Sequence, residues 1–148
     1  MFVYICLGYY EWIDFKNSRE NLEKDKEAIC FDEFGNLDYT KYIWLVQQIQ
    51  KRLDNECLAL NPIYCFLEKP TFRLGPAKHV VCKVRIDPKY VVYFNDTLYV
   101  YFLNSRECEK NFERMFSRPT NRAFIPYITR SMVRKVWVYR NDKRLRSK

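Results

Sequence analysis

The segment that follows Asp38 constrains the fold of this chain more than any other stretch of the sequence. Its apolar residues recur at intervals of three and four, which places them on one face of an α-helix that ends near Leu53. They are Tyr39, Tyr42, Ile43, Val46, Ile49 and Leu53. Asp38 is the predicted N-cap, because its carboxylate can accept a hydrogen bond from the first turn. The polar face is expected to carry Gln47, Gln48, Lys51 and Arg52.

Segments rich in β-branched and aromatic residues surround this helix and predict strands. They are Phe2–Leu7, Pro62–Leu67, His79–Ile86, Tyr90–Phe94 and Val133–Tyr139. The segment Thr97–Leu103 leaves two alternatives open, a strand after a turn at Asn95-Asp96 or a short helix capped by Asp96.

Two further helices are predicted by the spacing of capping boxes. One signature is Asn17-Ser18-Arg19-Glu20, and the other is Asn104-Ser105-Arg106-Glu107, whose helix should run to about Phe116. Together with the strands, this predicts an α+β fold, with a small mixed or antiparallel sheet of about five strands and two or three packed helices.

The length of 148 residues and the hydrophobic fraction of 48% fit one domain with a core. The sequence shows no internal repeat, linker or low-complexity block. We therefore expect a single globular domain over residues 1–140 and a basic C-terminal tail over 141–148 that frays.

Six cysteines are scattered along the chain without a C-x-x-C pair. The apolar start, Met1 to Leu7, is too short for a signal peptide or a membrane span and lacks a basic flank. These features predict reduced thiols, a cytoplasmic location and no contact with a membrane.

Charge divides the chain into two unequal halves. Residues 1–68 carry 7 Lys/Arg against 12 Asp/Glu, a formal −5, whereas residues 69–148 carry 19 against 6, a formal +13. This asymmetry predicts an anionic partner, either nucleic acid or an acidic protein surface, for the later half. The alternative is that the two halves neutralise each other. The oligomeric state is left open.

Seven basic residues are the predicted nucleic-acid contacts. Four of them lie four apart on the expected late helix, where they could follow phosphates: Arg106, Lys110, Arg114 and Arg118. The others are Arg130, Arg134 and Lys135. The alternative is a solvated helix face balanced by Glu109 and Glu113.

Tyrosines interleave with cations in the middle of the chain. Tyr90, Tyr93, Tyr99 and Tyr101 lie near Lys83, Arg85 and Lys89. Such a pattern can form a stacking platform for single-stranded nucleic acid, although packing of these rings in the core is the more common outcome.

The loop Lys69–His79 is the candidate for a small-molecule or phosphate pocket, because it combines cations, the chain's single histidine and a Gly-Pro turn. Arg73 and His79 are its expected ligand-binding residues. No catalytic residue, metal site or cofactor is predicted.

Several segments occur in the order seen in a known family. They are Cys30–Phe34, Tyr42–Arg52, Asn61–Phe66, Pro70–Arg73, Tyr99–Asn104 and Arg122–Phe124. In this colinear order the chain resembles an uncharacterised bacterial family, the domain of unknown function 3841 family. Asn95 and Thr97 stand where family members carry acidic residues, and Pro126-Tyr127 stands where they carry Trp-Glu. The family implies no established activity, and its layout is loosely similar to that of small ADP-ribosyltransferase-type domains.

Three functional hypotheses follow from these features. The first is a binding or modulator protein that engages nucleic acid or an acidic protein surface through the basic half. The second is an NAD-using transferase-like enzyme with a pocket around Arg73, His79 and Asn104. The third is a phage or mobile-element protein that inhibits a host system by occupying its nucleic-acid site.

Overall fold

The predicted α+β class is confirmed by a computed structural model, which describes residues 1–18, 20–22, 38–53, 61–70, 78–105, 110–140 and 143–147. Within those residues the helices are α1 (Tyr9–Ser18), α2 (Tyr39–Arg52) and α3 (Asp96–Asn104). The strands are β1 (Phe2–Gly8), β2 (Ile63–Phe66), β3 (His79–Arg85), β4 (Val92–Phe94), β5 (Arg122–Ile125), β6 (Val133–Arg140) and β7 (Lys143–Ser147). Short 3-10 helices span Pro88–Tyr90, Lys110–Phe116 and Arg130–Met132. Within the described residues the strands number seven, more than the five or so expected.

The chain divides into two compact units, each built from separated stretches of sequence. The first unit contains Met1–Glu23, Cys65–Pro88 and Tyr127–Lys148, and the second contains Lys24–Tyr64 and Lys89–Pro126. That residues 1–140 form a single domain stays a prediction.

In the first unit, β1 is the central strand. It pairs antiparallel with β3 along its whole length, from Phe2 opposite Arg85 to Gly8 opposite His79, and its other edge pairs with β2 at Phe66. β3 pairs in turn with β6. Alternate residues of β1, namely Val3, Ile5 and Leu7, are buried, and Trp12 and Phe15 of α1 are buried as well. Because α1 contacts both β1 and β3, these side chains form the core of this unit.

The C-terminal end is a correction to the sequence prediction. Residues 143–147, expected to fray as part of a basic tail, form β7 and pair antiparallel with β6. An unpaired edge of β6 would leave its amides and carbonyls without partners in the sheet, and β7 satisfies them.

The first capping-box prediction is also wrong. Asn17 lies in the last turn of α1, which begins directly after β1. The amide of Gly8 donates to Glu11 Oε1 at 3.0 Å, so the glutamate reaches back to the helix start. The helix expected after Glu20 falls mostly outside the described residues.

In the second unit, α2 confirms the predicted helix and its cap. Asp38 Oδ1 accepts a hydrogen bond from the amide of Lys41 at 3.2 Å. The buried face is rotated from the expected one, since Tyr39 is 64% exposed and Ile43 51% exposed, whereas Gln48 is buried. The core of this unit consists of Tyr42, Leu45, Ile49, Leu53, Val92, Phe94, Tyr99, Phe102, Met115 and Phe124.

The ambiguous segment Thr97–Leu103 is helical and forms most of α3. Its cap is Asn95 rather than Asp96, because Asn95 Oδ1 accepts from the amide of Leu98 at 3.0 Å. The helix ends at Asn104 with Ser105 as its C-cap, so the capping box predicted to begin at Asn104 is wrong. The chain further on, at Lys110–Phe116, is a 3-10 helix rather than the expected α-helix.

Candidate nucleic-acid interface

Formal charge separates between the two compact units even more clearly than between the halves of the sequence. The first unit contains 15 Lys/Arg against 7 Asp/Glu, a formal +8. The second contains 11 against 11 and is formally neutral. Acidic and basic residues therefore balance each other within the second unit, whereas the excess positive charge of the chain lies in the first.

A groove in the first unit gathers four of its cations. The cavity has a volume of about 290 Å³ and is lined by Trp12, Lys16, Arg130, Val133, Arg134, Lys135 and Val136. We call these residues the basic groove. Among the described residues, its lining contains four basic residues and no acidic one, and its apolar residues are one tryptophan and two valines.

Hydrogen bonds hold the two segments that carry Lys16 and Arg130 together. Arg130 Nη1 donates to the carbonyl of Lys16 at 3.2 Å, which caps a carbonyl in the last turn of α1. The amide of Leu22 donates to the carbonyl of Ile128 at 2.9 Å, and Asn21 pairs with Thr129 as an isolated bridge. The chain leading into the 3-10 helix at Arg130 is therefore tied to the chain leaving α1.

A β-bulge explains how two consecutive residues of β6 line the same groove. Lys135 lies opposite Lys83 and Val133 lies opposite Val84, so Arg134 is an extra residue in the register. Successive side chains of a regular strand point to opposite faces, whereas a bulge turns one of them aside. Arg134 and Lys135 thereby both line the basic groove, and the Lys135 ammonium extends toward Trp137 on the face of the sheet opposite to Val136.

Among the described residues, no ion pair is assigned to the cations of the groove. Within the described part of the chain, the ion pairs that can be assigned are Asp38 with Lys41 and Lys51 with Glu113, both in the second unit. Lys135 Nζ instead lies 5.0 Å from the ring centroid of Trp137. The wall also holds a buried donor, since Trp12 Nε1 has no acceptor among the described residues. An anion is the ligand that this arrangement suits.

A second cavity of the first unit shares one wall with the groove. Its volume is about 650 Å³, and its lining includes Arg85, Asp87, Ser131 and Arg134. Because Arg134 lines both cavities, cationic surface extends from Lys16 to Arg85. Asp87 makes the second cavity less favourable for an anion than the groove.

Three of the seven predicted nucleic-acid residues come together in the groove, namely Arg130, Arg134 and Lys135. The other four belong to the neutral second unit. Arg106 and the side chain of Lys110 lie outside the described residues, and Arg114 and Arg118 are exposed. The predicted stripe is broken because a 3-10 helix repeats every three residues, so a spacing of four does not keep side chains aligned.

Two groove residues were not candidates from the sequence. Lys16 lies in the acidic half of the chain, where charge counting gives no reason to select it. Trp12 lies four residues earlier, a spacing that puts both side chains on one face of α1. Recognising α1 as a helix would have paired them.

The residues of the predicted ligand pocket are distributed over the chain. Arg73 lies outside the described residues. His79 is half-buried at the start of β3, and Asn104 is exposed at the end of α3, where its Nδ2 donates to the carbonyl of Val100 at 3.0 Å. His79 belongs to the first unit and Asn104 to the second. The pocket stays a prediction.

The tyrosines proposed as a stacking platform separate in the structure. Tyr99 is buried and packs with Phe94 and Phe124 in the core of the second unit, at centroid distances of 5.2 and 5.4 Å. Tyr93 and Tyr101 remain exposed. Lys83 and Arg85 belong to the first unit.

A polar cluster in the second unit joins β2, α3 and β5. Tyr64 Oη donates to Asp96 Oδ1 at 2.6 Å and accepts from Arg122 Nε at 3.0 Å. Burial, and then the neighbouring Asp96 carboxylate, raise the pKa of the Tyr64 phenol, although Arg122 opposes the shift. The phenol therefore stays protonated and acts as a hydrogen-bonding link rather than as a base.

Among the described residues, no group of three or more His, Cys, Asp or Glu side chains is arranged to hold a metal ion. No described helix has the length and apolar character needed to cross a membrane.

Comparisons with protein-family models, with curated proteins and with solved structures find no match for this chain. The resemblance to the domain of unknown function 3841 family therefore stays a prediction.

Proposed function

We propose that this protein is a binding or modulator protein that engages nucleic acid through the basic groove of its first unit. The observation that carries the proposal is the convergence of Lys16, Arg130, Arg134 and Lys135 on one cavity, where no described lining residue is acidic. Phosphates neutralised by such side chains release condensed counterions, which supplies most of the affinity of sequence-independent binding.

Two features favour nucleic acid over an acidic protein surface. The groove sets its cations beside the half-buried Val133, which offers apolar contact to sugars and bases next to the phosphates. The cationic surface also continues past Arg134 to Arg85. Such an extended surface suits a polymer that carries a charge on every repeat unit. An acidic protein surface seldom presents carboxylates with such regular spacing along a line.

The test is the dependence of affinity on salt concentration, measured by fluorescence anisotropy with a labelled oligonucleotide. Four contacted phosphates on a single strand predict a slope of about −3 for log K against log salt. The double variant Arg134→Gln/Lys135→Gln should make that slope shallower by about 1.4, because two phosphate contacts are lost. Both side chains are exposed, so the fold should tolerate the change.

The matched control is Lys78→Gln, which removes one charge from the same unit outside the groove. Lys78 precedes β3, at the end of that strand opposite to Arg85. It should leave the slope unchanged. A wild-type slope near zero would contradict nucleic-acid binding. Equal affinity for polyglutamate and for the oligonucleotide would instead favour an acidic protein partner.

The reducing cytoplasm is the compartment that we propose for this activity. Within the described residues, Cys6, Cys65 and Cys82 form no disulfide with one another, and Cys65 and Cys82 are completely buried. Burial raises the pKa of both thiols to about 12, which keeps them protonated and slow to react. Such thiols fit a location where nucleic acid is also present.

A further inference from the structure

One end of the sheet in the first unit combines exposed aromatic and basic side chains. The register of β1 and β3 sets Phe2 opposite Arg85 and Tyr4 opposite Lys83, and Lys83 lies opposite Lys135 of β6. Residues opposite each other in a sheet share a face. Val3 and Ile5 alternate with these residues and are buried, so the face carrying Phe2 is the one turned away from the core.

Among the described residues, Phe2 is the aromatic ring of this face that is most exposed to solvent. It is 44% exposed, whereas Trp137, on the same face, is only 7% exposed. Trp137 is covered partly by Lys69 and Lys135, whose Nζ atoms lie 4.5 and 5.0 Å from its ring centroid. Lys83 Nζ lies over the Phe2 ring, 4.3 Å from its centroid, so the exposed ring and an ammonium group are in cation–π contact.

This aromatic end is continuous with the basic groove. Lys135 lines the groove and also lies beside Lys83 in the sheet. Arg134 lines the groove and also the cavity that contains Arg85, the residue opposite Phe2. A polymer whose phosphates occupy the groove would therefore reach Phe2 by following cationic side chains.

We infer that Phe2 is a stacking platform for a base of single-stranded nucleic acid whose phosphates lie along Lys83, Lys135 and the basic groove. This inference rests on the proposed function and names its substrate class. A duplex keeps its base faces covered by their neighbours, whereas a single strand can lay a base on an aromatic ring. Lys83 is placed to bind the phosphate of the same nucleotide.

The test compares Phe2→Leu with Phe2→Trp, using one oligonucleotide sequence as a single strand and as a duplex. Leucine keeps an apolar side chain and removes the ring, so affinity for the single strand should fall by about 5- to 100-fold, while affinity for the duplex stays unchanged. Tryptophan has a larger ring and should retain or strengthen single-strand binding.

The outcomes separate this inference from the proposed function. Unchanged single-strand affinity of Phe2→Leu, or an equal loss for strand and duplex, overturns the platform. Where Phe2→Leu lowers the melting temperature of the protein, Phe2→Trp decides the case. A loss of single-strand affinity in Phe2→Trp also overturns the platform. Arg134→Gln should lower the affinity for both the single strand and the duplex. If it does so and the Phe2 variants bind as the wild type does, the proposed function of the groove is supported and the platform is contradicted.

Discussion

At the scale of single residues, Tyr64 shows how one hydroxyl group stabilises the second unit. It links the Asp96 carboxylate to the Arg122 guanidinium, with both bonds partly shielded from water. Tyr64→Phe removes the link and leaves a charged acceptor and a donor facing an apolar ring. We expect the free energy of unfolding, measured in urea, to fall by about 1–3 kcal/mol. Tyr101→Phe is the control, because that side chain is 64% exposed and should change stability by less than about 0.5 kcal/mol.

The buried thiols predict a loss of stability in alkali. The pKa values of Cys65 and Cys82 are raised from 9.0 to about 12 by burial. Above pH 9 the unfolded chain releases these protons and the folded chain keeps them, so the contribution is complete below pH 9 and is lost as pH rises toward 12. Each thiol adds a slope of at most about 1.4 kcal/mol per pH unit to the decline.

Urea unfolding at a series of pH values above neutrality measures that decline. Cys65→Ala should be less stable near neutral pH, because it leaves a cavity, but its decline above pH 9 should be shallower than that of the wild type, so the two curves converge. Parallel curves for the two proteins would contradict a raised pKa at Cys65.

At the scale of elements, the cap of α2 predicts a measurable change. Asp38→Ala removes the acceptor for the Lys41 amide and should lower the free energy of unfolding by about 0.5–2 kcal/mol. Asp38→Asn retains a side-chain oxygen at the cap and loses only the 3.9 Å ion pair with Lys41, whose Nζ keeps its 2.6 Å bond to the carbonyl of Leu103. Asparagine should therefore restore most of the stability, as urea unfolding of both variants would show.

Helices and strands with a clear hydrophobic pattern in the sequence could be predicted. Those that depend on one particular hydrogen bond could not. The periodicity after Asp38 and the β-branched runs at β1, β3 and β6 gave correct predictions, because burial of one face selects them. α1 was missed because its start depends on Glu11 reaching back to Gly8, not on a recognisable N-cap side chain. Thr97–Leu103 was decided by Asn95, a residue that also fits a hairpin turn.

The basic groove was predictable only in part, for a related reason. Arg130, Arg134 and Lys135 lie close in sequence within the basic half, so charge counting found them. Lys16 joins them through a contact that spans 114 residues of sequence, and the bulge at Arg134 depends on the register with β3. Long-range pairing of this kind leaves no local pattern, and an apolar residue such as Phe2 is selected as core material by default.

At the scale of the whole molecule, the location of charge matters more than its amount. The second unit is formally neutral, and the first carries the net +8 of the chain. A protein attracted to nucleic acid by net charge alone would lose affinity equally wherever two cations are removed. A protein that binds through the basic groove would lose affinity only when the removed cations contact phosphates.

Two double variants of equal net charge distinguish these cases. Arg134→Gln/Lys135→Gln and Arg114→Gln/Arg118→Gln each lower the formal charge from +8 to +6, and all four side chains are exposed. The groove pair should weaken oligonucleotide binding about tenfold or more, whereas the second-unit pair should change it by less than about twofold, because Arg114 and Arg118 do not line the groove. Anisotropy titrations of the two variants at matched ionic strength give the comparison. Equal losses would mean that net charge governs the association, and they would remove the case for a groove-specific interface.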